Sequence, residues 1–450
     1  MKVGALLPVN CANTVGPCAA AINNGTYPFV FNNDTIDASF GITSKIFLDQ
    51  ITPSGFLLDS LEVPNSSLKN VHTESNQIVT SFSSKSELAL NLSTDGRLLT
   101  FMGYVAPIDT LDVSNSNTPG VIDPTNPVGV NFYRAVATVN RNGKFTFTET
   151  NAYSGNNGRA AILNNSNGAN FFYTAGNAGN GGNPQPNGII LGAGTQFIDP
   201  STAPESFQTP VAPTPLASFS VTLLGDKADK IGKDDNFRGL TIFNDVVYFT
   251  KGSGSNGVNT VYFVDTTGTA CPKGVGIPAV GAPPPIAPLA FDPTKLQTTG
   301  LPNNMCILAG FPTALAKTAN PVAAPFGLWF ANAETLYVAD EGDGFAGNTT
   351  LYTHAAAQTA AGIQKWTFNS STKTWGLAYT LQTGLDLGVP YTINNYPTGN
   401  TTTTNLPWAP ATDGIRNITG TIDSDSKATL YGITSTVSGS GDRAPTPTAS

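Results

Sequence analysis

Histidine is almost missing from this chain: His72 and His354 are the only two in 450 residues. So little imidazole leaves a Ser–His–Asp hydrolytic triad almost no raw material, and no G-x-S-x-G or H-E-x-x-H run occurs. Charge is scarce as well. Lys, Arg, Asp and Glu make up 12% of the chain, about half the usual share for a soluble domain. The formal net charge is −8 and basic residues form no run, which argues against the clustered Lys and Arg that nucleic acid binding needs. No stretch of 18 apolar residues occurs, so no membrane span is expected. Met1–Pro8 is too short for a signal peptide. If the chain is exported, its leader lies outside this sequence.

Cysteine is limited to Cys11, Cys18, Cys271 and Cys306, with no close Cys/His spacing for zinc. An even count in a polar chain fits disulfides formed in an oxidising compartment. Of the three pairings, Cys11–Cys18 with Cys271–Cys306 is favoured because each pair shares a local segment; free buried thiols are the alternative. Sequons begin at Asn24, Asn33, Asn65, Asn91, Asn164, Asn348, Asn369, Asn400 and Asn417. Both features suggest a secreted, periplasmic or cell-surface glycoprotein.

What the chain does have is turns and strand formers. It holds 46 Gly and 33 Pro, suited to many short strands joined by turns. The central stretch is Pro325–Gly342, PFGLWFANAETLYVADEG. Gly327–Phe330 and Thr335–Asp340 are two β-rich arms around the polar turn Ala331–Glu334, a hairpin. The same pattern recurs at Glu87–Leu90 with Arg97–Phe101, Arg159–Ile162 with Asn170–Thr174, Arg238–Ile242 with Val246–Thr250, and Arg416–Thr419 with Ala428–Ile433. Further strands are expected at Phe29–Pro64, Tyr133–Val139 with Lys144–Glu149 across Asn142-Gly143, Gly188–Ile198, Ala217–Leu224, Thr260–Asp265, Gly362–Phe368 and Thr374–Leu381.

Hairpin openings at Glu87, Arg159, Arg238, Phe326 and Arg416 are spaced 72, 79, 88 and 90 residues apart. About four strands fit each interval, as in the blades of a β-propeller. The expected fold is all-β, a propeller of six or seven four-stranded blades. The early strands at Phe29–Pro64 would complete the last blade, so that the chain ends share it and no sheet edge is left open. An array of β-sandwiches is the alternative. Residues 1–24 read as an arm, 25–436 as one propeller domain and 437–450 as a polar tail.

PFGLWFANAETLYVADEG resembles the blade motif of NHL and YVTN-type propellers, in which a small apolar strand, a polar turn and a "YVAD"-like strand follow one another. SELALNLSTDGRLLTFMGY is similar. The resemblance covers the first half of each unit and implies the propeller fold.

Superposing the hairpins puts Arg159, Arg238 and Arg416 at one position, just before the first strand, with Glu87 and Phe326 in the other two units. Second strands run back toward that end, which brings Asp340, Glu341 and Asp343 near it, with Asp234 and Asp235. Two readings follow. The arginines form a mouth that clamps a small anionic ligand, or a protein or glycan partner. Otherwise each pairs with an acidic residue of a neighbouring blade and holds the sheets together. Asp340, Glu341 and Asp343 in a Gly-rich loop also make a candidate Ca2+ site. Gly252–Gly257 matches a dinucleotide fingerprint but is followed by a strand, so no helix terminus is available for a pyrophosphate. His72 and His354 read as solvated loop residues. Trp329, Trp366 and Trp375 read as packing, and Trp408 as packing or an exposed platform for a sugar or peptide. The function expected is a monomeric binding module. The alternatives are a metal-assisted lactonase- or lyase-like enzyme on the same face, which the resemblance allows, and a structural surface protein.

Overall fold

The computed structural model describes residues 42–68, 77–82, 88–108, 110, 113–124, 126, 128–177, 194–200, 214–217, 219, 221–226, 236–252, 254, 256–286, 305–345, 350–391 and 410–437. The regular secondary structure of the described residues is nearly all strand, with one α-helix and several four-stranded antiparallel sheets. It divides into two compact units whose boundary falls between Leu216 and Ala217.

In the N-terminal unit, β1 (Ile42–Ser44) pairs with β4 (Thr80–Phe82), and β2 (Phe47–Ile51) with β3 (Leu57–Glu62). The described part of Phe29–Pro64 therefore pairs within itself and with Thr80–Phe82. Two four-stranded sheets follow in chain order. One holds β5 (Asn91–Leu92), β6 (Leu98–Tyr104), β7 (Arg134–Asn140) and β8 (Phe145–Thr150). The other holds β9 (Gly158–Asn164), β10 (Phe171–Gly176), β11 (Thr195–Ile198) and β12 (Thr214–Ala217). They pack through β6 and β9, where Met102 and Val136 meet Ala161, Leu163 and Phe172 in one buried cluster. The turn between β7 and β8 is fixed by the Asn140 side chain, whose Oδ1 accepts the N–H groups of Asn142 and Lys144.

In the C-terminal unit, β13 (Leu240–Phe243), β14 (Val246–Lys251), β15 (Thr260–Val264) and β17 (Met305–Leu308) form an antiparallel sheet. The short β16 (Val275–Gly276) runs parallel to β17 along its outer side. The Cys271–Cys306 disulfide fastens the loop before β16 to β17. The next sheet is β18 (Pro325–Asn332), β19 (Thr335–Asp340), β20 (Gly362–Asn369) and β21 (Thr374–Leu381), with helix α1 (Leu351–Ala357) between β19 and β20. A long pair, β22 (Ala411–Ile422) and β23 (Ala428–Val437), comes last.

Successive sheets of this unit meet through their first two strands, β13 and β14 with β18, and β18 and β19 with β22. Phe243 and Phe330 stack at 4.5 Å between the first two. Tyr337, Ala339, Ile415 and Ile418 fill the second interface. Aromatic pairs of this kind add about 0.5–1.5 kcal/mol beyond burial. The first strands pinch at their other end: a Cβ on Gly239 would lie 1.8 Å from the Phe326 carbonyl oxygen. Only glycine allows that approach.

Several sequence expectations need correcting. The arm at Glu87–Leu90 is not the first strand of its sheet. Glu87 lies outside the described residues, Leu88 takes a positive φ of 47°, and the strand is Asn91–Leu92. Ala89 makes only an isolated parallel bridge to Ala160. Val221–Leu224 is a 3-10 turn rather than strand. β17 and β16 were not anticipated, because the MCIL run sits beyond a Pro-rich excursion. His354 lies on α1, not in a loop. Cys11, Cys18, His72, Trp408, Asp234 and Asp235 lie outside the described residues, as do residues 1–24 and 438–450.

Candidate functional site

The polar centre of the C-terminal unit lies where β18 and β22 begin and β19 ends. β19 delivers Asp340 and, just beyond it, Glu341. Glu341 is buried and takes an arginine on each carboxylate oxygen. Arg238, one residue ahead of the contact at Gly239, donates from Nη1 to Oε1, and Arg416 on β22 donates from Nε to Oε2 at 3.0 Å. Arg238 is 3% exposed and Arg416 38%. The Phe326 ring lies under both guanidinium groups, 5.6 Å from Arg238 and 6.0 Å from Arg416. Three consecutive sheets thus contribute one member each to an Arg–Glu–Arg set. The cross-sheet pairing reading of the arginines describes this geometry, with Glu341 as the carboxylate.

Beside this set sits a second acidic group that sequence reasoning missed. Asp413 on β22 is buried, and its Oδ2 accepts the Gly344 N–H at 2.9 Å while Oδ1 accepts from Gln358 Nε2. Gln358 in turn accepts the Asp343 N–H at 2.9 Å. Gly342 turns the loop with a φ of 79°, and a Cβ there would lie 2.4 Å from Asp413 Oδ2, so a larger residue has no room. Asp340 is buried and accepts the N–H groups of Ala324 at 2.8 Å and Gly342 at 3.1 Å. Burial pushes its carboxyl up to about 7, the two N–H groups opposing, with Glu341 and Asp413 adding to the rise. Burial likewise raises Asp413 to about 6.

Outside this buried layer, Asp343 Oδ2 meets His354 Nε2 at 2.6 Å. Phe345 stacks on the His354 ring with centroids 4.2 Å apart. All three reach solvent: His354 is 42% exposed, Phe345 39% and Asp343 25%. His354 is therefore exposed but paired.

The expected calcium ligands do not gather. Asp340 faces backbone N–H groups, Glu341 two guanidiniums and Asp343 an imidazole. Among the described residues, the one trio of potential metal ligands whose atoms lie within 4.8 Å is Asp265, Cys271 and Cys306. Those two sulfurs form the disulfide, and Asp265 accepts N–H groups from Thr267 and Ala270. Phe326 is fully buried beneath the guanidiniums rather than lining an opening. Arg159 belongs to the N-terminal unit, buried on β9.

A third buried arginine had no counterpart in the sequence analysis. Arg134, on β7 of the N-terminal unit, is fully buried and donates to the carbonyls of Ser114, Ser116, Phe132 and Asn156. Its guanidinium also lies 5.2 Å from the Tyr104 ring centroid. Carbonyl oxygens rather than a carboxylate satisfy it, which marks it as scaffold.

No known family matches the sequence, and no curated protein is similar to it. Among solved structures, a chain of the mitotic checkpoint complex is 9% identical over 96% of this chain and 95% of its own, with a TM-score of 0.28. A putative 6-phosphogluconolactonase from Bacteroides fragilis is 12% identical over 91% of this chain and 96% of its own, with a TM-score of 0.30. At these scores neither likeness says what the chain does. The fold stated here rests on the chain's own sheets.

Proposed function

We propose that the chain is an extracytoplasmic β-propeller acting as a binding module. Its binding face is the end of the C-terminal unit bearing Arg416, Asp343, His354 and Phe345. The propeller reading is supported by sheets that follow one another in chain order and pack one against the next within each unit; six or seven blades, with the chain ends sharing the last, is the count and closure proposed. The Cys271–Cys306 disulfide supports the address. The ligand is a small anionic group, free or carried on a glycan or protein.

One observation carries this reading. Arg416 is held through Nε by a buried carboxylate yet remains 38% exposed, a fixed guanidinium at the surface suited to a planar oxyanion. The Phe345–His354 stack of the same unit adds a ring surface of the kind that packs against sugars. The metal-assisted hydrolase reading has less support, since its three carboxylates face different partners.

An array of carboxylated, sulfated, phosphorylated and neutral glycans, followed by calorimetry on the hits, tests the proposal. Arg416→Gln should weaken an anionic hit about 10- to 100-fold, the loss of one charged hydrogen bond of about 1.5–3 kcal/mol. Binding of no anionic member, or equal binding by the variant, refutes it.

A further inference from the structure

We propose that Asn369 is an N-glycan attachment site, and that the buried sequons at Asn65 and Asn164 carry none in the folded protein. The inference rests on the extracytoplasmic address proposed above. The sequence offers many sequons and no means of choosing between them; the five within the described residues have very different surroundings.

Asn65 is fully buried, and its Nδ2 donates to Glu62 Oε1 and the Val63 carbonyl, both at 2.9 Å. Asn164 is 3% exposed, and its Nδ2 donates to the Tyr173 hydroxyl at 3.0 Å. A sugar on either nitrogen would break these bonds and displace core atoms. The Asn91 Nδ2 is shut away from solvent. Asn417 lies mid-strand on β22, where its Oδ1 comes within 2.7 Å of the space beside Gly327 on the neighbouring sheet.

Asn369 differs on each count. It ends β20, pairs with Thr374 to close the β20–β21 hairpin, and opens an exposed run through Lys373. Its Oδ1 accepts the N–H groups of Ser371 at 2.9 Å and Thr372 at 3.2 Å. The carbonyl side of the amide is thus anchored to the turn, and among the described residues Nδ2 is engaged by nothing. Ser370 is not proline and Ser371 supplies the hydroxyl, so the sequon is complete. The donor class is a lipid-linked oligosaccharide diphosphate. The bond from Nδ2 to the anomeric carbon forms as that carbon's bond to the diphosphate oxygen breaks. The diphosphate leaves with the electron pair, and one Nδ2 proton passes to the transferase.

The site has a convenient readout, because trypsin cuts after Lys365 and Lys373 and releases Trp366–Lys373 whole. The full chain, behind a cleavable secretion leader in yeast, is purified from the medium as the folded monomer. It is then opened with peptide-N-glycosidase in 18O water and analysed by mass spectrometry. The expected result is an 18O-aspartate in Trp366–Lys373 and none at residues 65 or 164. Ser371→Ala should abolish the label in that peptide while leaving the unfolding midpoint unchanged. If secretion is poor, translation of the same fusion into microsomes reads the same peptide. An unlabelled Trp366–Lys373, or label at 65 or 164 in folded protein, overturns the proposal. Because the leader imposes the route, such a failure counts against the site alone; the address is judged separately, by fractionating cells that make the protein natively.

Discussion

Replacing Glu341 by Gln removes the carboxylate that, among the described residues, pairs with both Arg238 and Arg416. Arg238 cannot respond by losing its proton, since a guanidinium stays charged in proteins. It would remain 97% buried opposite a neutral amide whose NH2 group faces one of the two guanidiniums as donor against donor. Removing one charge of a buried ion pair costs about 3–5 kcal/mol. The Arg416 half is more exposed and adds at most about 1 kcal/mol. For a unit of this size each kcal/mol lowers the melting temperature by about 2–4 °C, so Glu341→Gln should melt about 6–24 °C below wild type. Arg238→Met should cost less, because Glu341 keeps Arg416, and Arg416→Met least of all. Trp329, Trp366 and Trp375 lie in the C-terminal unit, and no tryptophan precedes residue 329. Tryptophan emission during a thermal ramp therefore reports on that unit alone. A Glu341→Gln variant melting within about 2 °C of wild type would refute the reasoning. So would an Arg416→Met variant as unstable as Glu341→Gln.

Two further outcomes use the same emission signal. The Cys271–Cys306 bond spans 35 residues, for which the loop-entropy relation gives about 4 kcal/mol; reduction should lower the urea midpoint of this unit accordingly, and an unchanged midpoint counts against it. Asp340 and Asp413 are raised by burial from 3.8 to about 7 and about 6. Between those limits the folded unit keeps protons that the unfolded chain has released. Their contribution is therefore complete below pH 4 and is lost as pH rises to about 7, at up to about 1.4 kcal/mol per pH unit for each carboxyl. The wild-type urea midpoint minus that of Asp340→Asn should fall across this window, and a difference that stays flat or rises contradicts the assignment.

The sequence showed the hairpins well because their signals are local. Asn142-Gly143, Asp95-Gly96 and the aromatic arms around Ala331–Glu334 specify turn and strand within a dozen residues. Where the signal was interrupted, the reading failed. The left-handed Leu88 ends the arm expected at Glu87, and β17 follows a proline-rich stretch with no pattern of its own. At the site, the repeated position drew Arg238, Arg416 and the Asp340–Asp343 loop toward one end of the unit. Which carboxylate faces which cation was not legible, since that depends on side-chain reach between sheets. Asp413 carried a faint mark, an Asp-Gly step three residues ahead of Arg416. Arg134 carried none: its partners are carbonyls of loops that only the fold brings together.

The pinch at Gly239 has a consequence for the charges next to it. The first strands of two sheets touch at that residue and are propped apart by stacked rings four residues later, so they converge toward the end that bears Arg238. Glu341 is reached across this gap because a hydrogen stands where any other residue would carry carbon. An added methyl there would widen the narrow end and draw the guanidinium away from its carboxylate with no change to either ionic group. The strength of this electrostatic knot is thus set one position away from any charge, by how closely two backbones can lie.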